Sequence, residues 1–453
     1  MTENNALARQ FTPASLLRFA LPNIVMMVFF SLYIIVDGMF ISRLVGTVAL
    51  SAVNMAYPVT SIQLAVGIML GSGGSAVVAL KLGRGDQREA AEDFTCLVVT
   101  AALVGLLFTL FGIPYLRQIL TWLGTSALQM PDCLVYTRIL LWFAPVMFLQ
   151  TVFQNYFVTA GKPGLGLVCT VIGGVLNMGL DWLFMGPMQM GVGGAAIATG
   201  IGYSVPALVG LVYFSVKRKE SLHFVRFRVR FKMLLWTCAN GSSEMVANAA
   251  IAVTTFLFNV IFMRYWAEEG VAAITIIQYF QFVFSAVFLG FSMGAAPVIS
   301  FKYGAGDRRQ LRFAVRFGLL FVLLCSVAEF LISVLTDSWA LGLFTRSDGP
   351  VYRIALKGFP IFALSFLLMG FNIFASSLFT ALSNGAVSAI ISLARTFVFL
   401  VGSLLLLPRL LGEIGVWLAV PAAEFLGLLV SVGFLLAGRS RYGYSLDFRK
   451  LNE

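Results

Sequence analysis

Charge is scarce in this sequence of 453 residues. Only 11% are Asp, Glu, Lys or Arg, against about 25% in an average soluble domain. Apolar residues reach 59%, above the roughly 45–50% of soluble chains. Together these figures exclude a water-soluble enzyme, a secreted module and a disordered chain, and they assign the protein to a bilayer. Histidine is nearly missing: His223 stands alone, which excludes a multi-histidine metal site. The five cysteines (Cys96, Cys133, Cys169, Cys238 and Cys325) are odd in number and widely spaced. They form no CxxC pair, so neither zinc nor a disulfide framework is implied. Gly161-Lys162 is followed by Pro163, so there is no phosphate-binding Walker A loop. The clustered aspartates that a membrane prenyltransferase would use for metal are also lacking. The expectation is a protein that is not an enzyme and needs no cofactor.

Long apolar runs are present instead. A bilayer core needs roughly 20 apolar residues per helix. Twelve segments meet this, at about 18–43, 49–80, 93–115, 134–159, 165–186, 193–216, 234–263, 271–300, 313–335, 353–379, 386–407 and 415–437. The runs are continuous, whereas a membrane barrel would alternate polar and apolar residues. The first run is too long for a cleavable signal peptide and continues into a spanning helix. The net charge of +11 is explained by placement. With the N-terminus in the cytoplasm, 22 of the 31 Lys and Arg fall on cytoplasmic segments, eight near outer ends, and Arg395 alone within a span. This asymmetry predicts both termini inside. The basic stretch from Lys217 to Lys232 then faces anionic lipid headgroups rather than nucleic acid.

The chain repeats itself. Lys81-Leu82-Gly83-Arg84-Gly85-Asp86-Gln87-Arg88 follows span two, and Lys302-Tyr303-Gly304-Ala305-Gly306-Asp307-Arg308-Arg309 follows span eight, at an offset of 221. The same offset aligns Thr159-Ala160 with Thr380-Ala381, and Gly194 with Gly415. Each repeat holds six spans, an even number, so both halves enter the membrane in the same direction. Parallel repeats of this kind are a transporter architecture with a site between the halves. The predicted organisation is an N-lobe at 1–216, a basic linker at 217–233, a C-lobe at 234–438 and a tail at 439–453.

Ionisable groups at membrane depth cost at least about 2.5–3.5 kcal/mol on insertion scales, so those that persist mark cavities or partners. Asp37 lies in span one and Asp181 in span five. Asn177 and Asp181 are four residues apart and share a helix face, as do Ala195 and Thr199 on span six. Two carboxylates with amide and hydroxyl oxygens suit a hard cation or a proton. At the 221 offset, Asp37, Asn177, Asp181 and Thr199 correspond to apolar residues or Gly402, so this cluster is confined to the first half. Arg395 and Glu424, in the neighbouring spans eleven and twelve, are expected to form a structural ion pair, because an unpaired buried charge is costly. Glu329, late in span nine, is expected at the lipid interface.

These residues resemble a family, the multidrug and toxic compound extrusion (MATE) transporters. The resemblance rests on Leu21-Pro22-Asn23 opening span one, Asp37 fifteen residues after Pro22, and Gln154-Asn155 before Ala160-Gly161-Lys162-Pro163. It continues in Asn177-x-x-x-Asp181 and in Gly191-x-Gly-Gly-Ala195-Ala-x-Ala-Thr199. It covers nearly the whole chain and is nearest to the bacterial MepA-like multidrug exporters. It implies an all-α fold of twelve spans in two lobes, in the bacterial cytoplasmic membrane. It also implies an N-lobe site for protons or sodium ions at Asp37, Asn177, Asp181, Ala195 and Thr199, with Asn155 in the same network and a bend at Pro22. One departure stands out: some members carry an acidic residue in span ten, where this chain reads Gly370-Phe371-Asn372-Ile373-Phe374.

Methionine adapts its shape, and aromatic faces attract cations. Tyr33, Met27, Gln154, Met178, Gln278 and Gln281, with Glu244 as the anion, are therefore expected to line a cavity for amphipathic organic cations. The expected function is drug efflux by antiport, by a monomer whose partners are small organic cations, drugs and membrane lipids. The alternative is a flippase for lipid-linked precursors or polysaccharides. A polyanionic headgroup calls for several cavity arginines, and Arg395 is the only mid-span base.

Overall fold

A computed structural model of the chain describes residues 6–216, 221–342, 345 and 349–444. Lys217, Arg218, Lys219, Arg346, Arg449 and Lys450, which belong to the charge count above, lie outside the described residues. The described chain is helical. Seven spans are α1 (Pro13–Phe40), α2 (Thr47–Arg84), α3 (Gln87–Trp122), α5 (Pro163–Met185), α6 (Gly191–Val216), α9 (Arg308–Leu335) and α12 (Glu413–Tyr442). Between them lie α4, made of Met130–Trp142 and Ala144–Thr159, and α10, made of Pro350–Ala363 and Phe366–Ala381. The remaining spans are α7 (231–265), α8 (268–304) and α11 (Gly385–Leu411).

Three departures from the predicted spans have local causes. The spans expected at 134–159 and 353–379 are each bent, by 56° in α4 and 50° in α10. In α4 the second segment opens Ala144-Pro145, and proline supplies no N–H to the preceding turn. The expected loop between α7 and α8 shrinks to two non-helical residues, Trp266 and Ala267, with Ala267 at φ 53°. Trp266 is held there by Phe262 and Trp417, with ring centroids at 5.3 and 5.6 Å. Helix α2 has 38 residues. At 1.5 Å per residue it is about 57 Å long, so it must tilt in, or project from, a core of about 30 Å.

Two short π segments interrupt the α-helical register. Ile41–Val45 extends α1 just beyond Asp37, and Ala394–Phe399 lies within α11 and carries Arg395. Such wide turns cluster at functional sites because they turn side chains out of the regular helical stagger.

Both described ends of the chain lie on one face, called proximal here. Phe11 N donates to Gln310 at 2.8 Å, and Gly443 packs on Arg308. The repeats meet through the proximal halves of α1, α2, α7 and α8. A Cβ on Gly241 of α7 would lie 2.1 Å from Met69 O of α2, and one on Gly83 would lie 2.1 Å from Phe301 O of α8. Ser300 donates to Ala76 O at 2.6 Å. On α8, Gly290 and Gly294 abut Ile24 and Ala20 of α1. In lipid there is no hydrophobic drive between helices, and small residues that let backbones approach supply the contact.

Two straps reinforce this seam. The segment before α1 crosses to the C-terminal repeat, where Gln310 pairs with Phe11 and Lys302 donates to Ala8 O at 3.0 Å. The segment before α7 crosses to the N-terminal repeat. There Arg230 pairs with Glu89 at 3.2 Å and Glu92 at 2.7 Å, beside the Lys81–Asp93 pair.

Candidate functional site

The N-terminal repeat holds a small, partly open cavity near the middle of its spans. It is lined by Phe30 and Tyr33 of α1, Gln150 and Gln154 of α4, Thr170, Gly173, Gly174 and Asn177 of α5, and Gly202, Tyr203 and Pro206 of α6. Glycine makes the geometry possible. A Cβ on Gly173 would lie 2.6 Å from Gly202 O, so α5 and α6 cross backbone to backbone. That crossing sets Asn177 beside Thr199. The Asn177 amide reaches Thr199 Oγ1 at 3.4 Å. Turned over, it donates to Asp181 Oδ2 at 3.3 Å and accepts from Thr199 N at 3.1 Å, which is the arrangement that satisfies both neighbours.

Asp37 of α1 stands opposite Asp181 of α5, the two carboxyl groups within electrostatic reach of each other. Two carboxyls can bond to each other only if one carries a proton. Asp37 Oδ1 and Asp181 Oδ1 are buried without a partner among the described residues. Asp181 is fully buried, and Asn177 and Thr199 nearly so. Ala195 is buried with Tyr136, Met185 and Ile41, the first residue of the π turn. Its small side chain lets α6 approach the end of α1.

Sequence reasoning passed over two tyrosines. Tyr136 of α4 and Tyr203 of α6 lie within electrostatic reach of Asp37, and Tyr203 stands beside Tyr33 at the cavity. A polar group recurring inside apolar spans is the available signal, but phenols are common there and only packing brings these three together.

The other predicted residues are distributed as follows. Gln154, expected with the substrate, faces the N-terminal cavity and donates to Thr170 at 3.1 Å. Asn155, expected in the ion network, turns to α2: its amide donates to Thr151 O at 3.0 Å and faces Gly71. Successive helical residues point about 100° apart, so the two neighbours serve different surfaces. Met27, Met178, Glu244, Gln278 and Gln281 are half-buried and do not line this cavity. Pro22 lies within α1, next to Asn23, a fully buried amide whose polar atoms have no partner among the described residues.

The C-terminal repeat holds a charge pair. Arg395 Nε donates to both oxygens of Glu424, at 2.9 and 3.0 Å. Asn372 donates to Glu424 Oε2 at 2.8 Å and accepts from Ser431 at 2.8 Å. Glu244 of α7 lies within reach of the Arg395 charge. Glu329 corrects an expectation: it is 5% exposed rather than interfacial, and neither carboxyl oxygen has a partner among the described residues.

Twelve spans in two parallel repeats, meeting along a small-residue seam and enclosing a polar site within one half, define a membrane transporter. The family profile MatE matches residues 22–183 and again 245–405. The chain belongs to the MatE family, the MATE transporters, which are not enzymes. Multidrug export protein MepA of Staphylococcus aureus (strain MSSA476) is 22% identical over 434 residues, 94% of each chain. A solved MATE in complex with MaL6 has a TM-score of 0.90 at 22% identity, over 97% of this chain and 98% of that one. A multidrug resistance MATE transporter in its outward-facing conformation has a TM-score of 0.89 at 22% identity, over 97% of each. At these identities the likeness to the two structures is one of fold.

Proposed function

We propose that this transporter is a multidrug efflux antiporter of the bacterial cytoplasmic membrane, exporting amphipathic organic cations in exchange for protons or sodium ions. The observation that carries the reading is the Asp37–Asp181 carboxyl pair, set among Asn177, Thr199 and the Tyr33–Tyr203 phenols. It offers a shareable proton position and an oxygen-rich cradle for a small cation. The adjoining cavity has about 20 Å³ of water-accessible volume, room for an ion or a water or two, whereas drug-sized ligands need several hundred. Ion and drug therefore occupy different places, and the drug belongs between the repeats.

That cleft would use the distal halves of the helices whose proximal halves form the seam. Tyr57, Tyr279 and Phe282 there are 46%, 39% and 36% exposed, and Gln278 and Gln281 lie beside the last two. Met27 and Met178 border it from α1 and α5, and Glu244 supplies the anion from α7. With both termini cytoplasmic, the seam closes the cytoplasmic side and the cleft faces outward. Pro22, next to the seam contacts of Ala20 and Ile24, gives α1 the missing hydrogen bond at which it bends. Ion binding at Asp37 would then change the course of α1 and, with it, the grip on the drug. The cationic surface of the proximal face suits contact with anionic lipid.

The test is efflux of a fluorescent organic cation from proteoliposomes, with pH and sodium gradients imposed separately. Acceleration by either gradient is expected, and indifference to both would overturn the antiport reading. Orientation is checked on a cysteine-free background with Ser126→Cys and Ser440→Cys. Labelling of the two from opposite sides is expected, and same-side labelling would refute the layout.

A further inference from the structure

The repeat relates the N-terminal cavity to the C-terminal charge pair residue by residue. At the 221-residue offset, the lining residues Gly174, Tyr203 and Pro206 correspond to Arg395, Glu424 and Gly427. The three C-terminal residues occupy one spot. Arg395 is bonded to Glu424, and a Cβ on Gly427 would lie 3.4 Å from Arg395 Cβ and 3.1 Å from Asn372 Nδ2. Asn372 stands on α10, the counterpart of α4, which gives Gln150 and Gln154 to the cavity. Where Gly174 packs its bare backbone against the Phe29 ring beside the cavity in one repeat, the other repeat places the Arg395 guanidinium against Glu424. An arginine stays protonated at any physiological pH, and its planar fork matches a carboxylate. Glu424 is 5% exposed and Ser431 fully buried, so the acidic side of the pair is enclosed while Arg395 is half-buried.

We propose that Arg395 is a tethered cation: its guanidinium permanently holds, in the C-terminal repeat, the place that corresponds to the cavity beside the carboxyl pair in the N-terminal one. Ion exchange is thereby confined to one half of the molecule. The inference rests on the antiport reading for the role of the N-terminal site, while the C-terminal geometry stands apart from it. With a built-in cation, Glu424 alone balances the charge, and an amide suffices as a further partner.

Removing the tether should convert the spot into a site for a free cation, lined by Glu424, Asn372 and Ser431. Purified Arg395→Ala is heated in sodium, lithium, dilute guanidinium or choline chloride at equal ionic strength. A rise in thermal midpoint of several degrees is expected in one or more of the first three over choline, beyond the response of the unmodified protein. Arg395→Lys, which keeps a tethered charge, should respond as the unmodified protein does. Equal responses of Arg395→Ala and the unmodified protein would overturn the proposal. Arg395→Met/Glu424→Gln, which leaves no charge to balance, keeps the test open should Arg395→Ala not accumulate. It should show no added cation response and should retain gradient-driven efflux within about twofold. Loss of that efflux with substrate counterflow retained would place the pair in the ion pathway and refute the tether. Failure of the unmodified protein to couple to either gradient would sink the antiport reading, and the cation response of Arg395→Ala would still be decided by itself.

Discussion

The two repeats share a backbone plan and differ in what fills it. In the N-terminal repeat, glycines at 173, 174 and 202 line a small cavity, beside two aspartates that each keep an unpartnered carboxyl oxygen among the described residues. At the corresponding place in the C-terminal repeat, Arg395, Glu424, Asn372 and Ser431 bond to one another. A duplicated fold can thus keep one copy as a working site and the other as a rigid support. The physical distinction is satisfaction: buried polar groups with all their partners stabilise one arrangement, while unsatisfied ones invite a ligand or a proton.

The largest effect should come from breaking the working half. Asp37→Asn keeps the shape of a protonated carboxyl and removes its titration. Gradient-driven efflux is expected to fall to background while counterflow persists, measured in the same vesicles, and Asp181→Asn should act in the same direction. Full gradient-driven transport by Asp37→Asn would remove the carboxyl pair from the mechanism.

Breaking the supporting half should cost stability first. Glu424→Gln strands the half-buried Arg395 charge, and the cost should approach but not reach the roughly 3–5 kcal/mol of a fully buried pair that loses one partner. A lowered denaturation midpoint is the expected reading. An unchanged midpoint accompanied by lost transport would give Glu424 a functional role instead.

The seam joins the two halves, so loosening it tests whether they move against each other. Gly241→Val pushes a side chain at Met69 O, and overpacking of this kind costs about 1–3 kcal/mol. In a cysteine-free background, a cysteine at Ser300, buried in the seam, should be alkylated faster. An unaltered rate would mean that this contact does not hold the proximal face shut. Pro22→Ala, which returns a hydrogen bond to α1, should slow efflux several-fold and leave the melting midpoint within about 1 kcal/mol of the parent. Equal efflux would make the proline architectural only.

The smallest effect is expected at the straps. Arg230 and Glu89 are 37% and 53% exposed, and exposed pairs contribute about 0.2–1 kcal/mol. Arg230→Ala should barely move the midpoint. A large drop would make the ionic strap, rather than the glycine seam, the principal tie between the repeats.

Much of this was legible in single helices. Asn177 and Asp181 share a face because 3.6 residues make a turn, and the structure sets Asn177 between Asp181 and Thr199. Arg395 and Glu424 announced each other as charges too costly to bury alone. Pro145 offered a signal for the bend at Phe143, whereas at Ser365 the apolar run gave none. Nor was the division between Gln154 and Asn155 legible, where only the position of α2 decides which of two adjacent amides meets the cavity. Glu329 at the end of an apolar run gave no hint that α9 would turn it inward.

Composition, apolar run length and the 221-residue repeat by themselves determined that this chain spans a bilayer twelve times in two equivalent halves. Lipid demands that each span satisfy its own backbone, and that demand is written locally in every segment. Only the tertiary structure decided that Tyr136 and Tyr203 join Asp37, that Gly174 takes the Phe29 ring where its counterpart Arg395 meets Glu424, and that the seam lies on the proximal side. Those outcomes depend on contacts between helices far apart in sequence, where a missing Cβ or an extra residue in a π turn changes which side chains can touch.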